Sequence, residues 1–396
     1  MSLPKTKQWD LGQASLCLLI WTFLPFHDVV ADEHSKSPLA ETQIQALVEP
    51  FVKDKPYVAL AVGVSEPGST RMYFFGSVDR DHGKTSPTDE TLFEIGSITK
   101  TMTCSILATL VEDGKVELAT PANRYLDADL QLPDAAGVPI TLEQLATHTS
   151  SLPVQPPTIG LFALLHFTLS NPYSKYDRTA LVSTLKTLKV KTPPGIEYRY
   201  SNLGMGMLGH ALVAADKAES YEALLRKRLL APLALHDTTI TLSEMDRKNR
   251  LATPHTDSGS PTSTWDFAAL EGCGAVRSSP RDMVRWLELH MGKIETPMQP
   301  ALRRAQLVRF PKDREPKPDE IAMGLGWHWI PIPQRTERLV FHNGGTGGSR
   351  CFLALDSRHQ VGVVILSNSA HSVDDLGVHL MEELLDHHSL QPIEPE

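Results

Sequence analysis

Phe93-Glu94-Ile95-Gly96-Ser97-Ile98-Thr99-Lys100-Thr101-Met102-Thr103 is where an apolar, glycine-punctuated segment runs into a helical pattern. The pattern continues to Asp113 and stops at Gly114, which predicts a long helix from Ser97 to Asp113. Residues three apart on a helix share a face, so the Ser97 hydroxyl lies beside the Lys100 ammonium. A serine hydroxyl is a poor nucleophile at neutral pH, and an adjacent amine is one way to activate it. The stretch therefore points to acyl-transfer chemistry with no metal and no cofactor. Ser-x-x-Lys alone is a weak signal, because it also occurs at Ser2–Lys5 and Ser183–Lys186. The strand-like lead-in, Gly96 and two further motifs downstream set Ser97–Lys100 apart.

The second motif is Tyr200-Ser201-Asn202, the only Tyr-x-Asn in the chain. It follows the turn-rich Pro193-Pro194-Gly195 and precedes a helical stretch from Leu203 to Lys217. A tyrosine titrates near pH 10 when unperturbed, and a neighbouring ammonium favours its phenolate, which makes Tyr200 a candidate general base. Asn202 carries both donors and an acceptor, suited to holding Lys100 or a substrate amide. The plain alternative is a core tyrosine at a helix start. The third motif is His342-Asn343-Gly344-Gly345-Thr346-Gly347-Gly348. Glycines there let a substrate backbone approach closely. A backbone N–H in this run is a candidate half of an oxyanion hole, with the Ser97 N–H as the other half. The plain alternative is a flexible turn between strands.

Strand character brackets a mostly helical middle. Glu41–Val52 reads as a helix, with Ile44, Leu47, Val48 and Phe51 on one face. Residues 57–64 and 71–78 read as a hairpin across Gly68-Ser69. Helical segments are expected at Leu142–Thr147, Arg178–Leu188 and Tyr221–Leu230. Strands return at Leu339–His342, Cys351–Asp356 and Val361–Asn368, and Val373–His387 closes the chain as a helix. With Ser97 ahead of the middle and the glycine-rich strand behind it, a site shared by two lobes fits. The apolar run Gly160–Phe167 is too short to span a bilayer and reads as a core helix or a flap beside the site.

The 396 residues carry 38 basic and 47 acidic side chains, a net of −9, which argues against a nucleic-acid partner. Lys5 and Lys7 precede an apolar stretch from Ala14 to Phe26, and Val29-Val30-Ala31 offers a cleavage site. Residues 1–31 thus read as a signal peptide, making the protein exported, periplasmic or secreted, with no stable membrane span. An uncleaved anchor is the alternative. The remaining Cys104, Cys273 and Cys351 allow one disulfide at most and read best as small buried residues.

In order and spacing, Ser97-x-x-Lys100, Tyr200-x-Asn202 and His342-Asn343-Gly344 resemble the three motifs of penicillin-recognising serine enzymes. The closer resemblance is to the class C β-lactamase family and its relatives among penicillin-binding proteins and esterases. Thr141–Pro153, Ala231–Thr239, Ser279–Met283 and Gly324–Trp327 add to it, so it covers residues of about 40 to 390. The resemblance implies an α+β fold: an antiparallel sheet flanked by terminal helices, with an all-helical subdomain inserted. On this reading the catalytic domain is 32–396, with a sheet lobe near 40–100 and 265–390 and a helical lobe near 101–264. It also implies Ser97 as the acylated nucleophile, Lys100 as its activator and Tyr200 as a proton shuttle. Asn202, Gln155 and the His342-Asn343-Gly344-Gly345 segment fall around substrate, with Ser97 and Gly345 supplying oxyanion-hole N–H groups. The implied partner is a small molecule or peptide: a β-lactam, a D-alanyl peptide or an ester, met by a monomer.

One departure stands out. β-Lactamases of this kind begin the third motif with lysine, and here it is His342. A histidine near its ordinary pKa of 6.5 is mostly neutral at pH 7. If His342 contacts a substrate carboxylate, activity should fall as pH rises through its pKa. The chemistry open to the family here is β-lactam hydrolysis, D-alanyl peptide cleavage or ester and aminopeptidase-type hydrolysis. A penicillin-binding sensor that acylates and stalls is the non-enzymatic alternative. No Gly-x-Ser-x-Gly and no His-Glu-x-x-His occurs, so other hydrolase classes lack their signals.

Overall fold

The strands run β1 (Leu60–Glu66), β2 (Ser69–Phe75), β3 (Phe93–Glu94), β4 (Arg277–Ser278), β5 (Ala322–Met323), β6 (His328–Pro331), β7 (Arg338–Gly345), β8 (Arg350–Asp356) and β9 (Val361–Ser367). Seven of them form one sheet in the order β2-β1-β9-β8-β7-β6-β5, with every neighbouring pair antiparallel. β3 and β4 make a separate two-residue ladder. The computed structural model describes residues 37–53, 58–78, 85–165, 170–332 and 335–389. The expected signal peptide, Cys17, the Ser2–Lys5 match and the end of the Gly160–Phe167 run lie outside them.

Every residue of β1 and β9 is buried, because these strands are covered on both faces. Their sequences are accordingly apolar runs rather than alternating ones. On one face, Val62, Val363 and Ile365 pack with Ile44 and Val48 of the helix Glu41–Val52 and with Leu380 and Leu384 of the helix Asp374–His388. On the other face, Ala61, Val364 and Leu366 join a larger core with Met102 and Leu107 of the helix Thr99–Glu112 and Trp286 and Leu287 of the helix Pro280–Met291. The sheet is thus flanked by terminal helices on one side, as the resemblance implied. Between β3 and β4 the described chain is helix and loop with only isolated bridges.

Three local differences from the sequence reading have clear causes. Ser97 lies in a 3-10 turn, Gly96–Ile98, and the α-helix proper starts at Thr99. Gly96 has a positive φ of +50°, so regular helix cannot begin there. The helix Pro280–Met291 was not anticipated, although Ser279 caps it and Pro280 occupies its first turn. The apolar run near Gly160 forms the helix Ile159–Leu165, but Leu161, Leu164 and Leu165 are 62%, 56% and 66% exposed. Among the described side chains Ile159 and Ala163 are the buried ones, so the segment is a surface helix rather than a core one. Cys104, Cys273 and Cys351 are buried and unpaired.

Candidate active site

The 3-10 turn projects Ser97 from the end of one helix towards two others. Lys100, one turn on, places Nζ 2.8 Å from Ser97 Oγ. The same amine donates to the Cys273 carbonyl at 2.6 Å. Tyr200 O–H donates to Ser97 Oγ at 2.7 Å. Tyr200 and Asn202 reach the site because Ser201 between them caps the helix Asn202–Asp216 through Gly204 N–H, while its own N–H donates to His148 Nδ1 at 3.1 Å. The two groups bonded to Ser97 Oγ therefore come from separate parts of the chain, fixed by caps and packing.

Lys100 has no solvent exposure. Burial disfavours its ammonium and brings its pKa down from 10.5 to about 8. Burial also raises the Tyr200 phenol above its ordinary value, and the Ser97 hydrogen bond offsets only part of this. The sequence reading had Tyr200 as a phenolate beside an ammonium. In the structure, burial raises the Tyr200 phenol and lowers the Lys100 ammonium, which favours a protonated Tyr200 donating to Ser97 and a Lys100 that gives up its proton more readily than a free lysine. Desolvation, invisible in the motif, decides the order.

The oxyanion-hole candidates lie at a backbone contact between the Ile95–Ser97 turn and the end of β7. A Cβ on Gly344 would sit 2.0 Å from the Ile95 carbonyl oxygen and 3.3 Å from Ser97 N, and one on Gly96 would sit 2.6 Å from Gly345 N. Only glycines permit that approach, which brings the Ser97 and Gly345 N–H groups to one place. Gly344 makes this close contact between backbones possible.

His342 is buried, 1% exposed. Its Nδ1 lies 2.6 Å from the Asn343 carbonyl oxygen, and its ring packs 4.9 Å from that of His328. Burial, then the neighbouring His328 and Lys100, hold its pKa well below the usual value. His328 is pushed down to about 4 and donates to or accepts from Tyr198 O–H at 3.0 Å, and His148, also lowered, stacks 4.4 Å from Tyr200. These three imidazoles are neutral at ordinary pH. A buried imidazole whose pKa is held down carries little positive charge, so the third motif supplies no fixed cation for a substrate carboxylate. Asn343 donates to Asp374 at 3.0 Å.

A cleft of about 280 Å³ opens beside Ser97, and Gln155, Asn202 and Gly345 line it. Asn202 donates to the Tyr173 hydroxyl at 3.2 Å, and among the described residues it has no bond to Lys100 and its Oδ1 has no partner. Sequence reasoning missed the rest of the wall: Tyr173, Trp265, Phe267, Thr346 and Arg350. Tyr173 stacks on Phe267 at 4.8 Å. The buried Glu94 carboxylate ties two sides together, accepting from Trp265 N–H at 2.5 Å and Thr346 O–H at 2.8 Å. The only sequence signal for this wall was a pair of aromatics, Trp265 and Phe267, in an otherwise polar stretch. Among the described residues, no group of three or more His, Cys, Asp or Glu side chains is arranged to hold a metal ion.

The Beta-lactamase family model matches residues 44–386. The chain belongs to the β-lactamase family. Within the family it is 28% identical over 347 residues to the D-alanyl-D-alanine-carboxypeptidase/endopeptidase AmpH of Escherichia coli strain K12, covering 84% of this chain and 86% of that protein. It is 26% identical over 358 residues to a β-lactamase of Pseudomonas fluorescens, covering 82% of this chain and 92% of the relative. A class C β-lactamase solved in complex with cefoxitin shares the fold at a TM-score of 0.74 and 21% identity, over 87% of this chain and 98% of that one. Family membership makes the protein a hydrolase of the serine type.

Proposed function

We propose that the protein is an exported serine hydrolase working through an acyl-enzyme on Ser97, with β-lactam amides or D-alanyl peptides as its substrates. The observation that supports this most is the convergence of Lys100 Nζ and Tyr200 O–H on Ser97 Oγ at 2.8 and 2.7 Å. Neutral Lys100 takes the Ser97 proton as Oγ attacks the substrate carbonyl carbon. The carbonyl electrons move to oxygen, which the Ser97 and Gly345 N–H groups stabilise. Tyr200 gives its proton to the departing nitrogen or oxygen, the acyl–leaving-group bond breaks, and the Lys100 ammonium restores the Tyr200 proton. Water then attacks the acyl carbon by the same route and frees Ser97. The names of the AmpH and β-lactamase relatives support these two substrate classes.

The neutral, buried His342 favours a second reading within the family, an esterase or aminopeptidase that needs no cation at the third motif. Turnover of nitrocefin, a D-Ala-D-Ala peptide and a p-nitrophenyl ester ranks the substrate classes. Ser97→Ala should abolish every activity, and residual turnover in that variant would remove Ser97 from the mechanism. The apolar segment 14–26 supports export, and N-terminal sequencing of the secreted protein tests it. Among the described residues no helix is long and apolar enough to cross a membrane.

A further inference from the structure

The cleft beside Ser97 has a cation that the third motif does not supply. Arg350 lines it, and is its single basic lining residue among those described. Arg350 opens β8 and pairs across the β7–β8 hairpin with Gly345. Because Gly345 has no side chain, the arginine folds over it: a Cβ at Gly345 would meet Arg350 Nη1, Cδ and Cζ at 3.2, 3.3 and 3.4 Å. Nη1 donates to the Thr346 carbonyl at 2.6 Å and the Ser349 carbonyl at 2.8 Å. Those two bonds use both N–H groups of Nη1 and fix the plane of the guanidinium. Among the described residues no partner bonds the Nε and Nη2 edge, the pair that grips a carboxylate through two parallel hydrogen bonds.

No carboxylate of the described residues forms an ion pair with Arg350, although this chain pairs most of its other half-buried arginines. No acidic residue lines the cleft, and the two oxygens of the buried Glu94 carboxylate behind Trp265 and Thr346 are engaged by those residues. The other polar lining side chains, Gln155, Asn202 and Thr346, are neutral. Gln155 and Asn202, the candidates for a substrate amide, line this cleft beside Ser97, whereas Lys100 and Tyr200, which handle the proton of the leaving group, do not. The cleft then receives the acyl portion of the substrate.

We propose that Arg350 is a specificity-determining residue that selects acyl donors carrying a carboxylate on the acyl portion. The proposal rests on the acyl-enzyme reading of Ser97. It is tested with the p-nitrophenyl hemiester of adipic acid against the same ester with its free carboxyl methylated. Nitrophenolate release gives kcat/KM for each with wild type, R350Q and R350K. Wild type should prefer the carboxylate by roughly ten- to hundredfold, the range for a charge-assisted hydrogen bond. In R350Q the ratio should fall to near one. R350K should keep part of it, as a point charge without the bidentate edge. Equal turnover of the two esters by wild type, or a preference that survives in R350Q, overturns the assignment while leaving the acyl-enzyme intact. Release from neither ester overturns both.

Discussion

If Lys100 is the base that activates Ser97, kcat/KM must follow its neutral fraction. With its pKa brought down to about 8, that fraction is about a hundredth at pH 6, about a tenth at pH 7 and about nine-tenths at pH 9. For an ester that does not itself titrate, kcat/KM should therefore rise roughly ninetyfold from pH 6 to pH 9, with a midpoint near 8. Among the described residues, the imidazoles and Tyr200 beside the Ser97–Lys100 pair fall outside that window. His148, His328 and His342 are held below it, and Tyr200 and Cys273 are raised above it. Glu271, raised to about 7, lines a different cavity with His210 and Arg178. Stability gives an independent reading of the same shift. Burial lowers the folded pKa of Lys100 below its unfolded value, so the cost is present at pH values below about 8 and fades as pH rises from 8 to 10.5. That cost is about 3 kcal/mol by the size of the shift. Lys100→Met should thus be inactive yet gain stability at pH 7, by less than this because two hydrogen bonds are lost with the amine. The assays are initial rates across pH and urea unfolding at pH 7. A profile flat from pH 6 to pH 9, or one whose limb lies near 6.5 and vanishes in a His342 variant, would refute the reasoning.

Other perturbations probe the neighbouring contacts. Gly96→Ala strains a φ of +50° and drives a Cβ to 2.6 Å from Gly345 N, so kcat/KM should fall about a hundredfold with the circular dichroism spectrum retained; near-wild-type rates would show the oxyanion hole does not depend on this approach. His342→Lys buries a second ammonium near Lys100, which should lower the thermal midpoint and move the pH limb below 8. An unmoved limb would place His342 outside the electrostatic reach of Lys100. Asp216 accepts from Lys115 at 2.7 Å, Lys227 at 2.9 Å and Arg228 Nε at 3.0 Å, and these partners hold its carboxyl below the usual range. Asp216→Asn should cost about 2–4 kcal/mol at pH 7 by urea unfolding, because it strands these cations around a buried site. The stabilisation is present above the ordinary carboxylate pKa and is lost as pH falls through the depressed one, so the deficit should shrink on acidification; a pH-independent deficit would assign it to packing instead.

The parts of this protein legible in its sequence are those written in local pattern. Apolar runs marked β1, β8 and β9, and three-residue spacing put Lys100 beside Ser97. Two-residue strands such as β3 and β4 carry too few side chains to show a period. The helix Pro280–Met291 was readable from its Ser279-Pro280 start, a capping signal that hydrophobic spacing alone passed over. The protonation states were not readable, because the ranking of Lys100 and Tyr200 follows from how much water each loses. The same holds for His342, whose motif position suggests a substrate contact while its burial lowers its charge. Arg350 was silent for a different reason: its place opposite Gly345 exists only once β7 and β8 pair.

The central claim is that Ser97 is the residue acylated during turnover. It is tested most directly by acid-quenching the protein with a β-lactam or an activated ester and mapping the mass adduct by peptide sequencing. The account predicts one acyl group per chain, on Ser97, absent from Ser97→Ala and accumulating more slowly as pH falls below 8. An adduct on another residue, or hydrolysis that persists in Ser97→Ala without any adduct, would contradict it.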